Sequence, residues 1–162
     1  MGDSDFRIVI DTREQDPYSF DCETIRQGLA AGDYSVAGHE GVVAVERKSL
    51  TDFVGTVTRD MPRFRRELEY LSRYTSAQIV VEADLDAVLR GKVKIRCDPQ
   101  TIHHSALWIH HTFGIPTIWC GSRQAAVVET EQFLRMFVRV RLQGKNLDDA
   151  TKEEDHAVDP FR

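Results

Sequence analysis

Glu46 and Lys48 stand two positions apart within Val45-Glu46-Arg47-Lys48-Ser49-Leu50-Thr51-Asp52. On a strand that spacing sends both side chains to one face. The carboxylate can then hold a divalent cation while the ammonium leans on the same phosphate. Phosphodiester hydrolysis asks for this, because charge must be neutralised at phosphorus and a water deprotonated beside it. A Glu and a Lys so spaced are equally a common solvated surface pair. Whether they do chemistry depends on what the rest of the chain brings to them.

Three strands set the answer. Phe6 to Asp11 is short, apolar and β-branched and ends on an acid. Asp33 to Ala37 and Val42 to Arg47 flank the turn Gly38-His39-Glu40-Gly41 and read as a hairpin. If the three are neighbours, Asp11, Asp33 and Glu46 share one rim, and oxygen ligands of this kind suit Mg²⁺ or Mn²⁺. Lys48 then stabilises developing negative charge or orients the attacking water. Arg47 projects to the opposite face, toward Asp52, Glu14 or a phosphate passing the strand end.

Helices occupy most of the remainder. Cys22 to Ala31 reads as a short helix closed by Gly32, and Ser49 as an N-cap with Asp52 at the capping-box position. A helix then runs to about Thr58. The next starts near Asp60, tolerates Pro62 in its first turn and buries Phe64, Leu68 and Leu71. Gln78 to Glu82 is a buried strand, Asp84 to Leu89 a short helix, Pro99 to Phe113 a longer one and Ile115 to Trp119 a strand. Ser122 caps a last helix to about Gln143. Strands alternating with helices indicate an α/β fold of three layers with a central mixed sheet.

Gly32-Asp33-Tyr34 followed by Glu46-Arg47-Lys48 and Asp52 resembles the GDY…ERKxxxD signature of the XPF nuclease family, and Asp11-Thr12-Arg13-Glu14 its upstream element. Similarity continues through Pro62 to Leu68, Ile79 to Glu82, Phe113 to Pro116 and the last helix. The resemblance implies a restriction-endonuclease-like fold and Mg²⁺- or Mn²⁺-dependent cleavage of branched, flapped or forked DNA in repair or recombination. It marks Asp33 and Glu46 as metal ligands with Asp11 beside them, and Lys48 as catalytic. Arg47 and Asp52 complete the catalytic set, with Arg13 and Glu14 as supports. Members of the family usually carry helix-hairpin-helix repeats after the nuclease domain, and here an acidic stretch follows. A partner supplying that module is therefore expected, or a stand-alone nuclease of prokaryotic or viral type.

Charge agrees with this once it is located. Of the net −5, residues 147–162 carry −4, leaving the body near neutral. That stretch reads as an acidic, disordered tail after a nuclease domain spanning residues 1–146. Local basic groups decide DNA affinity instead. Arg59, Arg63, Arg66 and Arg73 share a helix face that Asp60, Glu67 and Glu69 dilute, which also fits a plain solvated surface. Arg90, Lys92, Lys94 and Arg96 alternate with Gly91, Val93 and Ile95 and suit a phosphate-tracking loop.

Several function classes drop out. Three scattered cysteines, Cys22, Cys97 and Cys120, form no CxxC pair and imply reduced thiols rather than a zinc ribbon or a disulfide framework. His103-His104 and His110-His111 lack the i,i+4 spacing of a helical metal pair and read as surface or interface residues. No apolar run spans a bilayer and the acidic N-terminus is unlike a signal peptide, so an intracellular protein with no membrane contact is expected: cytoplasmic if prokaryotic or viral, nuclear if eukaryotic. The last helix is apolar on more than one side, which implies deep burial or a homodimer. Two other readings stand beside the structure-selective nuclease: a catalytically inactive DNA- or partner-binding domain on the same scaffold, and a nuclease of DNA ends or four-way junctions.

Overall fold

The computed structural model describes residues 6–144, so the acidic tail lies outside the described residues. Six strands form one mixed sheet: β1 (Arg7–Ile10), β2 (Glu23–Arg26), β3 (Tyr34–Val36), β4 (Val43–Lys48), β5 (Ser76–Val81) and β6 (Thr117–Trp119), in the order β2-β1-β3-β4-β5-β6. β3 is antiparallel to both β1 and β4, whereas β5 and β6 run parallel to β4. Five α-helices cover the two faces: α1 (Leu50–Thr58), α2 (Met61–Leu71), α3 (Leu85–Leu89), α4 (Pro99–Phe113) and α5 (Arg123–Phe137). A wider π-helical turn, Val138–Leu142, extends α5. This is the α/β architecture expected from the alternation of elements, with a mixed sheet between helical layers.

Alternation along β4 divides the core in two. Ala44 faces a core with Phe53 of α1, Phe64 and Leu68 of α2, Ile79 and Val81 of β5, and Ile102 and Ile109 of α4. Val43 and Val45 face the other core, with Ile8, Tyr34, Val80, Leu134 and Phe137. Continuing the same period puts Glu46 and Lys48 on the α1/α2 side and Arg47 on the α5 side. Both cores are built of buried apolar side chains, so the strand end is packed on both faces.

One element departs from expectation. Cys22 to Ala31 holds the edge strand β2, parallel to β1 with Val9 opposite Ile25, rather than a helix. Thr24 and Ile25 are β-branched, and the segment has only Ile25 and Leu29 to offer a helical stripe, too little to bury one. The free edge of β1 supplies backbone partners that an isolated helical turn could not match. Residues 11–22 form the crossover, about the dozen residues a parallel connection needs.

Helix ends follow the expected chemistry. Ser49, Asp84, Asp98 and Ser122 each accept a backbone N–H at the start of α1, α3, α4 and α5. Pro62 and Pro99 sit in first turns, where no N–H is missed. Gly114 ends α4 in the left-handed region at φ 71°.

Candidate active site

The sheet topology brings three strand ends to one rim. Because β3 is antiparallel to its neighbours, its N-terminal end meets the C-terminal ends of β1 and β4. Asp11 N–H donates to Asp33 O and Asp33 N–H to Val45 O, both at 2.9 Å. Glu82, just past β5, donates its N–H to Lys48 O at 3.0 Å and joins the same rim. Asp33 is aimed by β4 itself: the Arg47 N–H donates to Asp33 Oδ2 at 2.8 Å.

Asp33 and Glu46 form a strained pair of acids. Glu46 is 4% exposed and lies against the Lys48 ammonium. Burial pushes the Asp33 carboxyl up to about 6; the Arg47 N–H and the Lys48 charge pull it down, and Glu14 and Glu67 add to the rise. Burial also holds Glu46 well above the usual carboxylate range, and repulsion from Asp33 raises it further. Burial alone would depress Lys48, but the Glu46 carboxylate outweighs it and raises the ammonium. Lys48 Nζ sits 4.8 Å from the centre of the Phe64 ring. Two carboxylates that cannot easily both ionise, beside one cation, are an incomplete charge set.

The other face of β4 is complete. Arg47 Nε donates to Glu82 Oε1 at 2.7 Å, and its guanidinium lies 3.5 Å from Glu14 and 3.9 Å from Asp16. Arg123 of α5 reaches the same Glu82 and Asp16. Tyr18 donates its hydroxyl to Glu82 at 2.8 Å and stacks on Tyr34, with ring centres 5.0 Å apart. Burial works against ionised Glu82, yet Arg47 and Tyr18 hold its carboxyl below the ordinary range. Arg47 thus anchors Glu14, one of the expected partners, while Asp52 is elsewhere.

The structure puts the remaining expected residues in distinct roles. Asp11 is buried, with Oδ1 accepting the Leu29 N–H at 2.9 Å and Oδ2 accepting Arg13 Nε at 2.7 Å. Arg13 also donates to Leu29 O at 2.8 Å, so the two staple the segment that leads into Gly32-Asp33. Among the described residues, no three His, Cys, Asp or Glu side chains are grouped to hold a metal ion. Asp52 receives the Ser49 hydroxyl at 2.6 Å and steadies the start of α1. A cavity of about 380 Å³ opens between the rim and the α1–α2 pair, lined by Lys48, Asp52, Arg59, Arg63, Phe64 and Glu67 among others. Arg66 is exposed and stands outside this lining. Arg90 pairs with Asp86, while Lys92, Lys94 and Arg96 are exposed on a loop whose Ile95 and Cys97 pack on the same core as α1 and α2.

Glu67, Glu82, Tyr18 and Arg123 were missed by sequence reasoning. Glu82 was findable, since a strand parallel to β4 must end at the same rim. Glu67 carried no such signal, because its neighbours depend on how α2 lies against the sheet.

The model of the ERCC4 domain matches residues 10–133, a span that takes in every candidate from Asp11 to Arg96. The chain belongs to the ERCC4 domain family. This ERCC4 domain is similar to two solved structures. "XPF from Aeropyrum pernix" is 21% identical with a TM-score of 0.67, over 87% of this chain and 64% of that chain. "XPF from Aeropyrum pernix, complex with DNA" is 20% identical with a TM-score of 0.66, over 97% of this chain and 76% of that chain. The chain thus spans a little under two thirds of the first structure. At these identities the likeness shows the fold, which is restriction-endonuclease-like. A comparison with curated proteins gave no match.

Proposed function

We propose that this ERCC4 domain is a divalent-metal-dependent DNA endonuclease acting on branched, flapped or forked DNA. The observation that carries the reading is half-buried Asp33 with buried Glu46, both carboxyls raised, beside Lys48. Such a cluster of like charge has no structural purpose, and a neighbouring cation relieves it. The donor set fits Mg²⁺ or Mn²⁺: two carboxylates are available, and Mg²⁺ commonly keeps several waters and adds substrate phosphate. When bound, the ion supplies the charge neutralisation that phosphodiester hydrolysis requires.

The residues then divide the labour. Asp33 and Glu46 hold the cation. Lys48, freed from Glu46, places its ammonium on the phosphate and stabilises the negative charge that builds up there. Arg47 touches no substrate; with Glu82 and Glu14 it fixes the strand end from behind. Asp11 and Arg13 hold the segment leading to Asp33, and Asp52 fixes α1. Arg59 and Arg63 in the cavity, with Arg66, Lys92, Lys94 and Arg96 outside it, are the DNA-contacting groups. Residues 1–146 form the nuclease domain, and Val128, Val140 and Leu142, exposed along the last helix, fit a homodimer. A partner chain supplying a helix-hairpin-helix module fits the same scheme.

Cleavage of end-labelled flap, fork, splayed-arm, four-way and single-stranded DNA in Mg²⁺ or Mn²⁺ tests this directly. Incision near the branch of flap or fork substrates, abolished by EDTA, is the expected outcome. Binding without incision on every substrate would establish the inactive scaffold instead.

A further inference from the structure

Glu46 and Lys48 are bound to each other in this structure. A carboxylate oxygen held by an ammonium is a compromised metal ligand. For the proposed reaction the pair must separate. Lys48 is poorly placed to separate by swinging into water: its side chain is 15% exposed and lies on the Phe64 ring. Before DNA brings its phosphate, an anion within the site must receive it.

Glu67 has that position. It lies three residues after Phe64 on α2, so its side chain neighbours the ring that carries the Lys48 ammonium. It lines the same cavity as Lys48. Its one hydrogen bond, from the Gly32 N–H, is long at 3.3 Å, and among the described residues it forms no ion pair. The Gly32 bond matters as well. Gly32 turns the chain at φ 79°, and a Cβ there would stand 2.9 Å from the Ala44 Cβ, so the turn into Asp33 is tightly seated.

We propose that Glu67 is a positioning residue that receives the Lys48 ammonium when Glu46 turns to a divalent cation. The inference rests on the proposed metal site and adds to it a carboxylate that binds neither metal nor DNA. Glu67 keeps Lys48 in place during the exchange and, through Gly32, keeps the Asp33 turn seated.

Titration calorimetry with Mn²⁺ alone, without DNA, separates this from simpler roles. Glu67→Gln keeps the acceptor for Gly32 and removes the charge, and is expected to weaken Mn²⁺ by about tenfold. In a Lys48→Met background Glu46 is already free, and Glu67→Gln should then change Mn²⁺ affinity by less than about twofold relative to Lys48→Met alone. Glu67→Asp, which keeps the charge, should recover most of the loss, and a thermal melt of each variant confirms that it folds. An equal loss in both backgrounds would overturn the proposal, showing that Glu67 acts on the ion directly. Unchanged affinity in Glu67→Gln would overturn it too. Failure of the wild type to bind Mn²⁺ would be a different result, removing the metal site itself.

Discussion

The two faces of β4 hold similar residues and opposite electrostatics. On the α5 side, Arg47 and Arg123 meet Glu82, Glu14 and Asp16, with Tyr18 donating to the same carboxylate, and Glu82 sits below the normal range. On the α1/α2 side, Glu46 pairs with Lys48, the charges of Glu67 and Asp33 also act on it, and the Asp33 and Glu46 carboxyls are both raised. One residue of offset along a strand separates a satisfied ion network from an unsatisfied one. Carboxylates that serve structure are matched by cations the chain supplies. Carboxylates that serve chemistry are left for something the chain does not supply.

The largest expected effect breaks the unsatisfied face. Asp33→Ala or Glu46→Ala should lower Mg²⁺-dependent incision of labelled flap DNA by about a thousandfold or more while DNA binding persists. Equal incision by wild type and Glu46→Ala would end the assignment of that face to catalysis. Next comes the satisfied face. Arg47→Ala strands Glu82 and Glu14 in a partly buried setting and should cost about 3 kcal/mol in denaturant unfolding. Lys48→Met, by contrast, should cost about 1 kcal/mol, because Glu46, its carboxyl already raised by burial, takes up a proton rather than standing as a buried unpaired charge. A comparable loss for both would show that the two faces are not different in kind.

The smallest effect sharpens the comparison through pH. Asp33 rises from 3.8 in the unfolded chain to about 6 in the fold, so it favours the folded state fully below pH 4. That advantage is lost as pH climbs through 6, a swing of roughly 3 kcal/mol in metal-free protein. Glu82 has the opposite sign: its lowered carboxyl stabilises above its unfolded value of 4.5 and loses that as pH falls. Asp33→Asn should therefore raise the melting temperature relative to wild type at pH 7.5 but much less at pH 4.5. Added Mn²⁺ should stabilise the wild type more at pH 7.5 than at pH 5, because only then are both ligands readily charged. A Mn²⁺ effect independent of pH would contradict the raised carboxyls.

What the chain disclosed about itself depended on how local the signal was. The β3–β4 hairpin, the Phe64–Leu68–Leu71 stripe and the bounds of α4 follow from periodicity and capping, and the structure has them. The opposite facing of Arg47 followed from strand alternation alone. β2 did not, because an edge strand with mostly exposed residues shows no pattern until β1 offers it backbone partners. Three converging acids were expected at the rim. Asp33 and Glu46 meet there, while the oxygens of Asp11 go to Leu29 and Arg13, a pairing set by a loop path that no spacing rule describes. Glu67 looked like dilution of a basic helix face, and only the packing of α2 on the sheet turned it inward.

Arg123 bonds to the Asp16 carbonyl across 107 residues of chain. Asp33, Glu46 and Lys48 have all been synthesised by Asp52, yet the loop behind the rim is not clamped until α5 exists. Contacts so distant in sequence form late, because the loop they close must first lose its entropy. A nascent chain on the ribosome therefore carries the full motif without a finished back wall to hold it. The cutting edge of this fold is thus encoded early in the chain and its back wall late.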